Sequence, residues 1–82
     1  MSPSVLRVLS GKQVIKIFEK QGFTISRQKG SHIMLARVIN NEKQTLTIPN
    51  HNEIDRGTLH AIIRQASKYI IEAELFEYFA NN

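Results

Sequence analysis

The pattern of apolar residues predicts an α+β fold: a three-stranded antiparallel sheet with helices packed on one face, in the order α-β-β-β-α, plus an extra C-terminal helix. Three observations lead to it. An apolar stripe at helical spacing follows a capping signature near the start of the chain. Three successive segments then alternate apolar and polar residues, separated by turn residues. Helical spacing returns in the last third. A sheet with one apolar face needs a cover, and the helices must supply it from the same side. The 82 residues allow one such unit, taken as a single domain over 1–82.

The first helix opens at Ser10, whose hydroxyl can accept from the amide of Gln13 while Gln13 reaches back. Leu9 and Val14 are placed as a hydrophobic staple. Val14, Ile15, Ile17 and Phe18 form its apolar face, and Lys12, Lys16 and Lys20 recur every four residues on the other. Gly22 fits the stop. Phe23 to Arg27 alternates as a half-buried strand, Lys29-Gly30-Ser31 carries a turn signal, and His32 to Val38 is the second strand. Asn40-Asn41-Glu42-Lys43 is a polar loop, and Gln44 to Ile48 alternates until Pro49 stops it. Strict two-residue periodicity places Phe23, Ile25, Ile33, Leu35, Leu46 and Ile48 on the apolar face. It leaves Thr24, Ser26, His32, Met34, Thr45 and Thr47 on the open one. Asp55 or Asn52 caps the next helix, whose stripe is Leu59, Ile62, Ile63 and Ala66. In the last helix Ile71, Leu75, Tyr78 and Phe79 face inward, and Glu72, Glu74 and Glu77 face solvent.

Composition narrows the function classes. Cys is absent, which excludes disulfides and Cys-based zinc sites. No apolar run approaches the roughly 20 residues of a membrane span, and the first residues do not read as a secretory signal. The expected setting is a prokaryotic cytoplasm. The net charge of +4 is uneven. Residues 1–41 hold seven basic side chains and one acidic, +6; residues 42–82 hold four basic and six acidic, −2. Such polarity suits an anionic partner for the first half, although a lysine stripe is equally an ordinary solvated face.

Among side chains able to do chemistry, His32 stands out. It follows Gly30-Ser31, lies near Arg27 and Lys29, and falls on the open sheet face. Cations and backbone amides beside an imidazole make a plausible phosphate site, although by position alone His32 reads as a surface residue after a turn. His51, in the loop after Pro49, and Arg37 are secondary candidates. His60 reads as a solvated helix residue. No His pair has metal-ligand spacing, so neither metal nor cofactor is expected.

Several short blocks occur in one order: Leu9-Ser10-Gly11-Lys12-Gln13-Val14-Ile15, then Gly22-Phe23, Arg27-Gln28-Lys29-Gly30-Ser31-His32, Ile48-Pro49-Asn50-His51, and Gly57 through Ala66. Together they resemble the HicA family of mRNA interferase toxins over Leu9 to Ala66. The family commonly has Gly where this chain has Ser67, and residues 67–82 form a longer, helical C-terminal extension. The resemblance implies a fold like that of double-stranded RNA-binding domains, endoribonuclease activity on mRNA, His32 as catalytic residue, and a HicB-like antitoxin partner. On that reading Arg27, Lys29 and the amides of Gly30 and Ser31 hold the phosphate. Lys12, Lys16 and Lys20 attract the RNA backbone, and the free toxin is a monomer. Two rival readings stay open: a non-catalytic RNA-binding module of the same fold, and a protein-interaction domain.

Overall fold

A computed structural model describes residues 6–80. Its elements are α1 (Gly11–Glu19), β1 (Thr24–Lys29), β2 (His32–Ile39), β3 (Glu42–Pro49), α2 (Arg56–Ala66) and α3 (Glu72–Phe79). The strands form one antiparallel sheet in the order β1-β2-β3. This is the α+β architecture and element order expected from the sequence.

Local chemistry accounts for most boundaries. Ser10 and Gln13 form the reciprocal capping box, with bonds of 3.1 and 2.9 Å. Lys20 caps the C-terminus of α1, and Gly22, at φ +97°, reverses the chain two residues later rather than one. Asn40 and Asn41 both adopt positive φ, 52° and 66°. That is the demand of a two-residue type I′ hairpin, which asparagine tolerates better than other side chains. The loop is therefore tighter than expected, and Glu42 and Lys43 extend the ladder, pairing with Ile39 and Val38. Asp55 caps α2.

Ile33, Leu35, Leu46 and Ile48 point from the sheet into one buried cluster with Val14, Ile15 and Phe18 of α1, Leu59, Ile62, Ile63 and Ala66 of α2, and Leu75 and Phe79 of α3. Phe18 stands between Phe23 and Phe79, with ring centroids 5.7 and 5.6 Å away. The segment after residue 67 is thus part of the core. Its end is also tied to the start of the chain: the Arg7 amide donates to the Phe79 carbonyl at 2.8 Å, and the Arg7 guanidinium to the Tyr78 carbonyl at 3.0 Å.

Two expected core residues lie elsewhere. Ile25 sits opposite Leu35 on the helix side of the sheet, yet is 52% exposed. Its strand is the free edge of the sheet, while α1 and α2 pack against β3 at the opposite side. Ile71 is 75% exposed, and Ile70 is buried in its place. The amides of Tyr69 and Ile70 still bond back to Ala66, so the turn swings Ile70 inward and leaves Ile71 as the extended residue before α3.

Candidate functional site

The site is built on the β1–β2 turn. Lys29 pairs with His32, leaving Gly30-Ser31 as a two-residue loop. Only Gly30 has positive φ, +59°, the position where a type II′ hairpin requires glycine. The Gln28 side chain braces the turn by donating to the Gly30 carbonyl at 3.2 Å.

A β-bulge then decides which side chains accompany His32. Ile25 pairs with Leu35 but Arg27 with Met34, so Ser26 has no partner in the ladder. The extra residue shifts the alternation by one. Regular alternation would send Arg27 and Lys29 to the same face as Ile25, beneath the helices. With the bulge they stand on the uncovered face, and Arg27, Lys29, His32, Met34 and Thr47 line a depression of about 150 Å³. The Ser26 hydroxyl secures the bulge by donating to the Met34 carbonyl at 3.2 Å.

His32 and Thr47 also border a second, larger cleft of about 300 Å³, shared with Pro49, His51, Thr58, Ala61, Ile62 and Gln65. Short backbone bonds fix its rim. The Asn50 amide donates to the Ser31 carbonyl at 2.6 Å, and the His51 carbonyl accepts from the Gly11 amide at 2.8 Å. The Ile54 amide donates to the Leu9 carbonyl at 2.8 Å. Gly11 is buried, and a Cβ there would collide with the Pro49 carbonyl oxygen and lie 3.0 Å from the Asn50 Cα. Glycine is what lets α1 begin directly against the loop that carries His51.

The far wall is α2. The Gln65 side chain accepts from the Thr47 amide at 3.2 Å and donates to the Thr47 carbonyl at 3.4 Å. The Tyr69 hydroxyl accepts from the Thr45 amide at 3.4 Å. These bonds close the otherwise open edge of β3. At the head of α2, Asp55 accepts from the Thr58 amide at 3.1 Å and from the Thr58 hydroxyl at 2.7 Å. The Thr58 side chain, then its amide, hold the Asp55 carboxyl below its ordinary value.

The fold thus brings Arg27, Lys29, Gly30, Ser31, His32 and His51 together. Other candidates lie elsewhere. Lys12 and Lys16 border a groove on the helix side, with Ile15, Glu19, Ile25, Gln28, Ile33 and Asn50. Lys20 is exposed at the far end of α1. Arg37 is on the helix side too. Its guanidinium lies 4.4 Å from the Phe23 ring centroid and donates to Gln44 at 2.6 Å and to the Gln21 carbonyl at 2.7 Å. Those contacts occupy Arg37 in closing the end of the core, where the Gln44 side chain is buried. His60 is exposed and borders neither cavity around His32. Among the described residues, no group of three or more His, Asp or Glu converges as metal ligands would.

Gly11, Ser26 and Gln65 also build the site, and no motif in the sequence assigns them to it. Gln65 carried the clearest signal, a polar residue beside the buried stripe of α2.

A family model described as the HicA toxin of bacterial toxin–antitoxin systems matches residues 11–67. The chain belongs to the HicA toxin family. The match begins at Gly11 and ends just past α2, so it takes in the bulge, the turn, His32, His51 and Gln65. It stops short of α3, although Leu75 and Phe79 of this HicA protein are fully buried. Neither a curated protein nor a solved structure matches the chain. As a HicA toxin it is one half of a toxin–antitoxin pair. No helix among the described residues is long and apolar enough to cross a membrane.

Proposed function

We propose that this HicA protein is a metal-independent endoribonuclease that cleaves mRNA in the cytoplasm and is silenced by a HicB-like antitoxin. One observation carries the reading: His32 lies exposed in a depression shared with Arg27 and Lys29, on the sheet face the helices leave uncovered. RNA brings its own nucleophile, the 2′-OH, so the protein needs a proton-transfer group, charge to hold the phosphate, and positioning. His32 supplies the first. Arg27, Lys29 and the amides of Gly30 and Ser31 supply the second. Lys12 lies at the near end of α1, and Lys16 and Lys20 add longer-range attraction to the RNA backbone. The HicB-like partner acts by covering the uncovered face.

The test is cleavage of a model RNA by the wild type and by His32→Ala, with and without EDTA. Loss of a proton-transfer group slows cleavage by about 10²–10⁴-fold, and wild-type cleavage persists in EDTA. Equal rates for the two proteins would remove His32 from the chemistry. RNA binding without any cleavage would leave a binding module instead.

A further inference from the structure

Cleavage by 2′-OH attack moves two protons, and one imidazole cannot readily serve both in a single step. We infer that His51 is the second proton-transfer group, a reading that rests on the endoribonuclease activity proposed above. Of the described residues lining the cleft shared by His32 and His51, only these two carry an imidazole; the rest are Thr47, Pro49, Thr58, Ala61, Ile62 and Gln65. The adjoining depression adds the apolar Met34 and the basic side chains of Arg27 and Lys29, which suit the phosphate. Among the described residues, no carboxylate lines either cavity.

His51 is also held in place. Two residues before it, Pro49 pairs with His32 across the ladder. Its neighbour Asn50 bonds to Ser31, the residue before His32, and its own carbonyl bonds to Gly11. One set of backbone bonds therefore ties the backbone of both histidines to the same turn. A phosphodiester seated on Arg27 and Lys29 next to His32 would lie beside the cleft that His51 also lines.

The step balances as follows. One imidazole takes the 2′-OH proton as the 2′-oxygen bonds to phosphorus. The other, as imidazolium, gives its proton to the 5′-oxygen as the P–O5′ bond breaks. The products are a 2′,3′-cyclic phosphate and a free 5′-OH. The protonation states of the two imidazoles are then exchanged, and water resets them.

The experiment compares wild type, His32→Ala, His51→Gln and Lys29→Ala on two RNA oligonucleotides of one sequence. One has the natural linkage. The other has sulfur in place of the bridging 5′-oxygen at the cut site, a leaving group that needs no acid. His51 is exposed, so His51→Gln leaves the fold intact, which circular dichroism checks. The expected result is a loss of about 10²–10⁴-fold on the natural RNA for each His variant, with the sulfur substrate restoring one of the two and not the other. His51→Gln cleaving natural RNA at the wild-type rate would overturn the inference. So would rescue of both His variants or of neither, or rescue of Lys29→Ala in place of a His variant. If the wild type cuts neither RNA, the endoribonuclease reading itself has failed, and the inference falls with it.

Discussion

Replacing Gly11 by Ala tests how the site is held together. Gly11 is the first residue of α1, and its amide holds the His51 carbonyl. An added methyl would collide with the Pro49 carbonyl and press on the Asn50 Cα at 3.0 Å. Both neighbours are backbone, so no side chain can swing aside. Helix propensity works the other way, since Ala is favoured over Gly by about 0.5–1 kcal/mol in a helix interior and by less at its first position. Overpacking costs about 1–3 kcal/mol, so the clash wins and the net loss is about 1–2 kcal/mol. At about 0.05–0.15 kcal/mol per residue, a chain of this size has roughly 4–12 kcal/mol of stability and stays folded. The relief comes from moving the Pro49–His51 loop by about 1 Å, a misplacement that costs about 10²-fold in rate. Urea unfolding and RNA cleavage, measured on the same preparation, check both numbers. Wild-type stability with wild-type cleavage would show that α1 and this loop are not in fixed contact.

Phe79 is fully buried against Phe18, so Phe79→Ala is expected to lose about 3–5 kcal/mol in urea unfolding. A loss below about 1 kcal/mol would mean that α3 is not a full member of the core. Lys29→Ala is expected to lower the slope of log affinity for single-stranded RNA against log salt by about 0.7, and Lys20→Ala, which acts from farther away, to lower it by less. Equal shifts would contradict the placement of the RNA. Asp55 has a native carboxyl below its ordinary value of 3.8, chiefly through its bond from the Thr58 hydroxyl. It therefore adds stability that is fully present above that ordinary value and lost as pH falls through the lowered one. Asp55→Asn is expected to be less stable than wild type at neutral pH and to converge with it in strong acid; a gap that does not change with pH, followed by thermal unfolding, would refute this.

What was legible in the sequence was local. The capping box at Ser10, the glycine turn before His32, the stripe of α2 and the strand order each depend on residues within a few positions of one another. What was not legible depends on distant partners. Ile25 alternates like a buried strand residue, but burial requires a covering helix, and β1 is the edge the helices do not reach. Ile71 and Ile70 both fit a helical stripe; the turn after Ala66 chooses between them. Arg37 stands among the secondary site candidates in the sequence, because the Phe23 ring beneath it and the Gln44 amide beside it come from other elements. Nothing near Gly11 in the sequence announces that Pro49 will press against it.

The same distinction applies to charge. Along the chain the +6 of the first half looks like one basic surface. In the fold it divides between the two sides of a sheet. Lys12 and Lys16 border the helix-side groove, and from Lys12 to Lys20 the stripe recedes along α1 by about 12 Å at 1.5 Å per residue. Arg27 and Lys29 would have joined that side had the strand kept its alternation. Ser26, unpaired in the ladder, moves both to the face of His32. A bulge weakens a strand locally, and here it falls on the edge strand, whose six residues are all exposed, so the core loses little by it. The arrangement is thus intelligible as positioning: an edge strand with almost no part in the core is free to spend its regularity on aiming two cations at an imidazole, while the ordered strands behind it carry the fold.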